Sequence, residues 1–382
     1  MRYTVGMDTN SDDKGRTRVL VAMSGGVDSS VAAALLVRQG YDVVGVTMNV
    51  WPEQDPNAVV REDACCSLSA AEDARRVAAQ LGIPHYVLNL KETFADRVMG
   101  FFFAEYARGR TPNPCVRCNQ FIKFDALWPK AQALDARYIA TGHYARVAYD
   151  EASGRHLLRQ AVDARKDQSY VLYPLDQAHL ARTLLPVGGY QKAEIRALAR
   201  ELGLIVAGKP ESQEICFINH GHYTDQLAER FPNAVRPGPL VNVEGVRLGE
   251  HAGIGAYTVG QRKGLGVALN EPAYVIGIAP ETNTVTVGPE RALYAAEALA
   301  DELMLTSVAS LDELPPGRPV LARVRYKSER MPARLYPEGE DRIRVVFDKP
   351  QRAVTPGQAI VLYNDDVVLC GATIGETRPA PR

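Results

Sequence analysis

No stretch of the 382-residue chain reaches the ~18 consecutive apolar positions that a membrane-crossing helix needs. The start, Met1 to Arg18, is polar and has no apolar core of a secretory signal, so a cytoplasmic location and no membrane partner are expected. Charge of one sign is lacking too. Forty-four Lys and Arg stand against 45 Asp and Glu, a net of −1, which excludes a uniformly basic nucleic-acid coat but not a local patch. Cysteine is scarce, six in all, and without a secretory leader these do not read as a disulfide framework. The thiols are therefore candidates for redox, catalytic or metal-binding work, or for simple burial. No internal repeat or low-complexity tract occurs. The hydrophobic share of 46% is that of a folded globular protein, long enough for two or three domains.

From Arg18 the pattern alternates. Val19–Met23 reads as a buried strand and Val27–Gln39 as a helix stopped by Gly40, followed by a strand at Val43–Met48. Ser69 and Glu72 have the spacing of a capping box for a helix over Ala71–Leu81. A strand at Tyr86–Leu90, a helix at Thr93–Arg108 and a strand at Tyr138–Ala140 continue the alternation. This is an α/β pattern: a parallel sheet with helices on both faces, which binds ligands beyond the carboxyl ends of its strands. Ser24–Gly26, Met48 and Gly142 all fall at such ends.

Beyond about Ile215 short strands take over. Val241–Val243 with Val246–Leu248, and Tyr274–Ile278 with Thr284–Val287 across Asn283, read as hairpins. After Leu314-Pro315-Pro316-Gly317 the evenly spaced strands suggest a small β-barrel. There Arg323, Arg325 and Lys327 alternate with Val320, Ala322, Val324 and Tyr326, and Arg342 and Arg344 oppose Ile343, Val345 and Phe347. Residues 320–352 hold nine Lys and Arg against five Asp and Glu, a basic excess of four on a neutral chain. The expected organisation is a variable tail at 1–17, a nucleotide-binding domain at 18–215, a small β-rich domain at 216–300 and a barrel at 301–382.

Ser24-Gly25-Gly26-Val27-Asp28-Ser29-Ser30 joins the first strand to its helix. Paired glycines let successive N–H groups point into one concavity, and the helix N-terminus adds positive potential. Asp28 repels a bare phosphate, which favours a magnesium–nucleotide complex. The Walker lysine is missing. The string resembles the PP-loop of the ATP pyrophosphatase superfamily, which splits ATP between its α- and β-phosphates and activates an oxygen as its adenylate.

Further motifs narrow the resemblance. They are Gly109-Arg110-Thr111-Pro112-Asn113-Pro114-Cys115-Val116-Arg117-Cys118-Asn119, Ala140-Thr141-Gly142-His143-Tyr144-Ala145, Lys166-Asp167-Gln168-Ser169-Tyr170, Ser212-Gln213-Glu214-Ile215-Cys216-Phe217-Ile218, Thr258-Val259-Gly260-Gln261-Arg262-Lys263-Gly264, and Ala353-Val354-Thr355-Pro356-Gly357-Gln358. In this order the chain, from about Arg18 to Thr373, resembles the bacterial tRNA-specific 2-thiouridylase family.

That resemblance implies ATP-dependent thiolation of a wobble uridine in the anticodon loop of tRNA, with AMP and pyrophosphate released. It implies Cys118 as nucleophile, Cys216 as persulfide carrier and Asp28 as the acidic residue near magnesium. The ATP positions carried over are Ala22, Met23, Ser24, Gly25, Gly26, Val27, Asp28, Ser29, Met48 and Gly142. The tRNA positions are Asn113, Pro114, Cys115, His143, Lys166, Asp167, Gln168, Arg325, Tyr326 and Gln358. A cysteine desulfurase or sulfur-relay protein as donor and a reductant are implied as partners. Many relatives have an acidic residue where this chain has Cys115, so the C-x-x-C is a departure.

Alternatives stand beside several residues. Cys115, Cys118 and Cys216 have the makings of three ligands of a [4Fe–4S] cluster whose free iron carries sulfide. Met48 either lines the adenine pocket or packs in the core, and Gly142 either admits close approach or only makes a turn. Lys166-Asp167-Gln168 by itself reads as a solvated loop. Cys65 and Cys66 read as packing or loop residues, and Cys370 as core. Two other classes compete for the function: a PP-loop synthetase forming amide or C–N bonds, which needs no paired thiols, and a non-catalytic RNA-binding protein.

Overall fold

The computed structural model describes residues 17–50, 68–210, 215–218, 223–267 and 271–379. Cys65, Cys66 and the Ser212–Glu214 part of a motif lie outside the described residues. The chain divides into two compact units. The first comprises Met1–Val98, Cys115–Asn219 and Asp366–Val368, and the second Met99–Pro114, His220–Asp365 and Leu369–Arg382. Among the described residues no helix is long and apolar enough to cross a membrane.

In the first unit, strand β1 (Arg18–Ala22) leads into helix α1 (Val27–Arg38), and β2 (Asp42–Asn49) follows. Helix α2 (Leu68–Leu81), β3 (His85–Asn89), β4 (Tyr138–Ala140) and β7 (Thr183–Leu184) complete the layer. All pairings are parallel, in the order β3-β2-β1-β4-β7. The continuous apolar runs of β1 and β2 suit strands covered on both faces. Val19, Val21 and Met23 pack with Val31, Leu35, Val43, Ala74, Val77 and Ala140 in one buried core. Chain order reverses at β1, which has β2 on one side and β4 on the other. The crevice therefore opens past the ends of β1 and β4, at Ser24 and Gly142.

Two expectations need correction here. Ser69 lies inside α2, which already includes Leu68, so it does not stand at the N-cap position; Glu72 pairs with Arg76 one turn on, at 2.7 Å. The helix expected over Thr93–Arg108 is interrupted: α-helical Lys91–Phe94 and Phe101–Ala107 flank a π-helical stretch, Ala95–Gly100. A hairpin of β5 (Ala145–Asp150) and β6 (Arg155–Gln160) completes this unit. Asp366 joins it by accepting bonds from Arg146 and Arg159.

In the second unit, β8 (Gly238–Val241), β9 (Arg247–His251), β10 (Tyr274–Ala279) and β11 (Thr284–Gly288) form a sheet in the order β10-β11-β8-β9. Both expected hairpins are present; Asn283 turns the second one at φ +50°, in the left-handed region that Asn tolerates. Strands β12 (Tyr294–Leu305), β13 (Arg318–Arg323), β14 (Met331–Pro337), β15 (Ile343–Arg352), β16 (Ala359–Asn364) and β17 (Val367–Pro379) pair antiparallel. Pairing of β12 with β17 closes them into a barrel. Its core includes Leu335, Val345, Ile360, Leu362 and Cys370, whose thiol burial pushes up to about 12.

The basic stripe on the barrel differs from expectation. Strand β13 ends at Arg323, which is buried and donates to the carbonyls of Ser328 and Tyr326. Arg325-Tyr326-Lys327-Ser328 is a turn tied by the Ser328 amide to the Arg325 carbonyl at 3.1 Å. Arg323 is thus the turn's internal brace, while Arg325 and Lys327 beside it are exposed.

Candidate active site

The turn after β1 depends on two glycines of the first unit. Gly25 has φ +65°, and a Cβ on it would lie 2.1 Å from the Ala70 carbonyl oxygen of α2. Gly142, after β4, has no strained φ but passes so close to α1 that a Cβ would sit 2.6 Å from the Ser29 nitrogen. Close approach, not the turn, is what requires glycine at 142. Helix α1 has no side-chain cap at Gly26, which leaves first-turn N–H groups to serve an anion. The serines turn inward. Ser30 donates to the Gly26 carbonyl at 2.8 Å, and the Ser29 hydroxyl accepts from the Ser24 amide at 3.1 Å. Ala22, Met23, Val27 and Met48 are buried, and Met23 and Val27 pack in the core of the first unit.

Asp28, in the first turn of α1, is gripped from two sides. Lys192 Nζ lies 2.7 and 2.8 Å from its two carboxylate oxygens, and the Tyr144 hydroxyl donates to it at 2.8 Å. A second lysine, Lys209, donates to the Gly25 carbonyl at 3.1 Å and pairs with Asp73 of α2 at 2.7 Å. Lys192 and Lys209 were not singled out by sequence, and Tyr144 stood in a motif without a role of its own. The signal for Lys192 was legible in hindsight: a cation at the first position of a helix, Lys192–Glu201, opposes the helix dipole and calls for a tertiary reason.

Lys166-Asp167-Gln168 is no solvated loop. Asp167 is 2% exposed and accepts from the Ala161 and Ser169 amides, the Ser169 hydroxyl and Gln160 Nε2. Gln168 clasps Tyr144, accepting from its amide at 2.9 Å and donating its own amide to the Tyr144 carbonyl at 2.7 Å. The motif thus positions the tyrosine that reaches Asp28. His143 beside it is buried. Its Nε2 lies 3.2 Å from Lys123 Nζ and its Nδ1 2.7 Å from Thr141 Oγ1. An ammonium has only protons to offer, so Nε2 accepts and Nδ1–H donates to Thr141. Burial, with the Lys123 charge second, holds the ring pKa well below the usual histidine value, and the ring is neutral.

Lys123 belongs to a π-helical stretch, Cys118–Asp125, with Cys118 at its first position. Asn119 is buried, donates to the Val171 carbonyl at 2.9 Å and leaves its Oδ1 unpartnered. Arg97 and Arg117 lie over the Phe121 ring at 5.5 and 5.7 Å, adding cationic charge to this stretch. Cys118 and Cys216 are half-buried thiols, and Cys115 is exposed. Phe217, edge-on to Phe94 at 5.6 Å, anchors the Cys216 turn. Among the described residues no three His, Cys, Asp or Glu are grouped to hold a metal ion. Cys115, Cys118 and Cys216 are therefore not gathered as iron–sulfur ligands, and the cluster reading does not fit this arrangement.

In the second unit, Gln358 donates to the Thr111 carbonyl at 2.8 Å, and the Thr111 amide donates to Pro356 at 2.8 Å. Gly357, at φ +89°, permits that approach, since a Cβ would meet the Thr111 nitrogen at 2.8 Å. Gln358 thereby steadies the segment carrying Asn113 and Pro114, while Arg325 and Tyr326 occupy the braced turn of the barrel.

Comparison with known proteins bears directly on this layout. Residues 17–220 match the family model described as a tRNA methyl transferase HUP domain. Residues 224–289 match its PRC-barrel domain, and 300–374 an aminomethyltransferase beta-barrel domain. The tRNA-specific 2-thiouridylase MnmA of Acetivibrio thermocellus is 50% identical over 94% of this chain and 99% of its own. That of Carboxydothermus hydrogenoformans is 52% identical over 94% of this chain and 98% of its own. The chain belongs to the tRNA-specific 2-thiouridylase MnmA family.

For a member of the MnmA family, the placement of Asp28 constrains any magnesium site. Among the described residues Asp28 belongs to no group of three His, Cys, Asp or Glu that could hold a metal ion, and it is already shared with Lys192 and Tyr144. That fits an ion carried in on nucleotide phosphates, as magnesium commonly is, and not an all-protein cage.

Proposed function

We propose that this protein converts a wobble uridine of tRNA to 2-thiouridine at the expense of ATP. The observation that carries the reading is the crevice at the reversal of sheet order, where an uncapped helix, two obligatory glycines and Asp28 meet. It stands in a chain that matches MnmA relatives along nearly their whole length. In this reading the uracil C2 oxygen attacks the α-phosphate of ATP and the α–β bond breaks. Pyrophosphate leaves, and the poor leaving group on C2 becomes AMP. Asp28 would hold magnesium, which neutralises charge developing on the departing pyrophosphate. The terminal sulfur of a persulfide on Cys216 then bonds C2 and AMP departs. Cys118 thiolate attacks the Cys216 sulfur, the S–S bond breaks toward the uracil, and thiouridine leaves. The resulting Cys118–Cys216 disulfide is reopened by an external dithiol, and a sulfur-donor protein reloads Cys216.

The target base must be turned out of the anticodon loop to reach these groups. In this reading tRNA contacts are carried by neutral His143, Lys166 and Cys115 in the first unit, and by Asn113, Pro114, Arg325, Tyr326 and Gln358 in the second. The test is single-turnover sulfur transfer from a persulfide donor to unmodified tRNA. Cys118→Ser and Cys216→Ser should each abolish thiouridine while tRNA binding and ATP–pyrophosphate exchange persist. Normal thiouridine from either variant would overturn the thiol assignment, and an amide-forming synthetase would become the better reading.

A further inference from the structure

Lys192 is placed unusually for a lysine. It is 9% exposed, sits at the first position of a helix whose dipole opposes its charge, and has its ammonium on both oxygens of Asp28. The same ammonium stands 5.6 Å from the Tyr144 ring centroid, and its backbone amide donates to Asp163 at 3.1 Å. A buried cation in such a position is costly unless it is paired. Here the partner is a carboxylate in the first turn of α1, the same turn that would receive a polyphosphate. An unneutralised Asp28 would repel that polyphosphate across the few ångströms between them.

We propose that Lys192 is a positioning residue of the nucleotide site: it neutralises and aims Asp28, so that the loop accepts the ATP polyphosphate before any divalent cation is in place. The proposal rests on the ATP reading above. Tyr144, held by Gln168, fixes the other side of the carboxylate, so the ion pair keeps one geometry. The inferred consequence is that metal-free ATP binds the wild-type protein, and that magnesium dependence is set by the Asp28–Lys192 balance and not by Asp28 alone.

Calorimetric titration of the full-length protein with ATP, in EDTA and in excess magnesium, tests this. Lys192→Met should lose about tenfold or more of the EDTA affinity and much less of the magnesium affinity. Asp28→Asn, which leaves Lys192 available to phosphate, should bind ATP in EDTA several-fold more tightly than wild type, a gain that misfolding does not mimic. The double variant removes both charges and should recover the affinity lost in Lys192→Met. Equal losses in both buffers, or no gain in Asp28→Asn, would overturn the proposal. Wild-type protein that binds ATP in neither buffer would overturn the nucleotide reading itself, and this proposal with it.

Discussion

The nucleotide loop of the first unit and the basic face of the barrel in the second both looked, as strings of letters, like anion-binding surfaces. Their structures diverge. In the loop, few charges are present, and backbone amides at an uncapped helix are what remain available. On the barrel, charges are plentiful, but four of the nine Lys and Arg in residues 320–352 are spoken for. Arg344 pairs with Glu338 at 2.8 Å, Arg352 with Glu290 at 2.8 Å and Arg342 with Asp301 at 3.3 Å, while Arg323 turns inward. A formal excess of four positive charges therefore does not lie evenly over that face: Arg325, Lys327, Arg334 and Lys349 are the exposed cations outside these pairs. Counting charges alone does not compare the two regions; where each charge ends does.

The sharpest way to break the contrast is to spoil the loop's backbone. Gly25→Ala adds a Cβ against the Ala70 carbonyl at a left-handed φ, and should cost about 3 kcal/mol of stability in urea unfolding. A change below a few tenths of that would show that the loop is not held by close approach. Next in size is a pH effect beside the loop. Because His143 stays neutral when folded and its unfolded pKa is about 6.5, the unfolded chain takes up a proton first as pH falls. Its contribution is therefore complete above about pH 6.5 and is lost below it, at up to ~1.4 kcal/mol per pH unit. His143→Gln should flatten that acid slope, and an identical slope in the variant would refute the burial argument. His85 and His156 shift the same way, so the comparison must be made between the two proteins and not against theory.

The smallest expected effect probes the barrel. Arg325→Ala should weaken tRNA binding a few-fold and reduce the slope of log affinity against log salt by about one, whereas Arg344→Ala should leave the slope unchanged because its charge is already met by Glu338 and Glu297. Equal slopes in the two variants would show that ion pairing does not silence the strand arginines.

Much of the first unit was readable from the chain. The apolar runs at Val19–Met23 and Val43–Met48 could only be covered strands, and the Ser24–Ser30 string between strand and helix had one sensible placement. In the second unit, Cys370, in an apolar run, read as core and is buried. Side-chain destinations were less readable. Ser69 had the right spacing for a cap, yet the helix begins before it. Asp167 looked solvated because Asp usually is, but enough donors can satisfy a carboxylate away from water, and here four hydrogen bonds from Gln160, Ala161 and Ser169 do so. Arg323 alternated with apolar neighbours as an exposed residue would, but the chain turns just after it.

What the sequence alone determined is what depends on near neighbours: alternation of strand and helix, the glycine-rich turn, the hairpins and the spacing of Cys115 and Cys118. Such features follow from local sterics and from periodic burial, and both are written in consecutive residues. Only tertiary structure decided that Lys192, 164 positions from Asp28, neutralises it, that Lys209 braces Gly25, and that Gln168 reaches Asp28 through Tyr144. Those pairings join residues distant in the chain, and a charge finds its partner through the fold of the backbone between them.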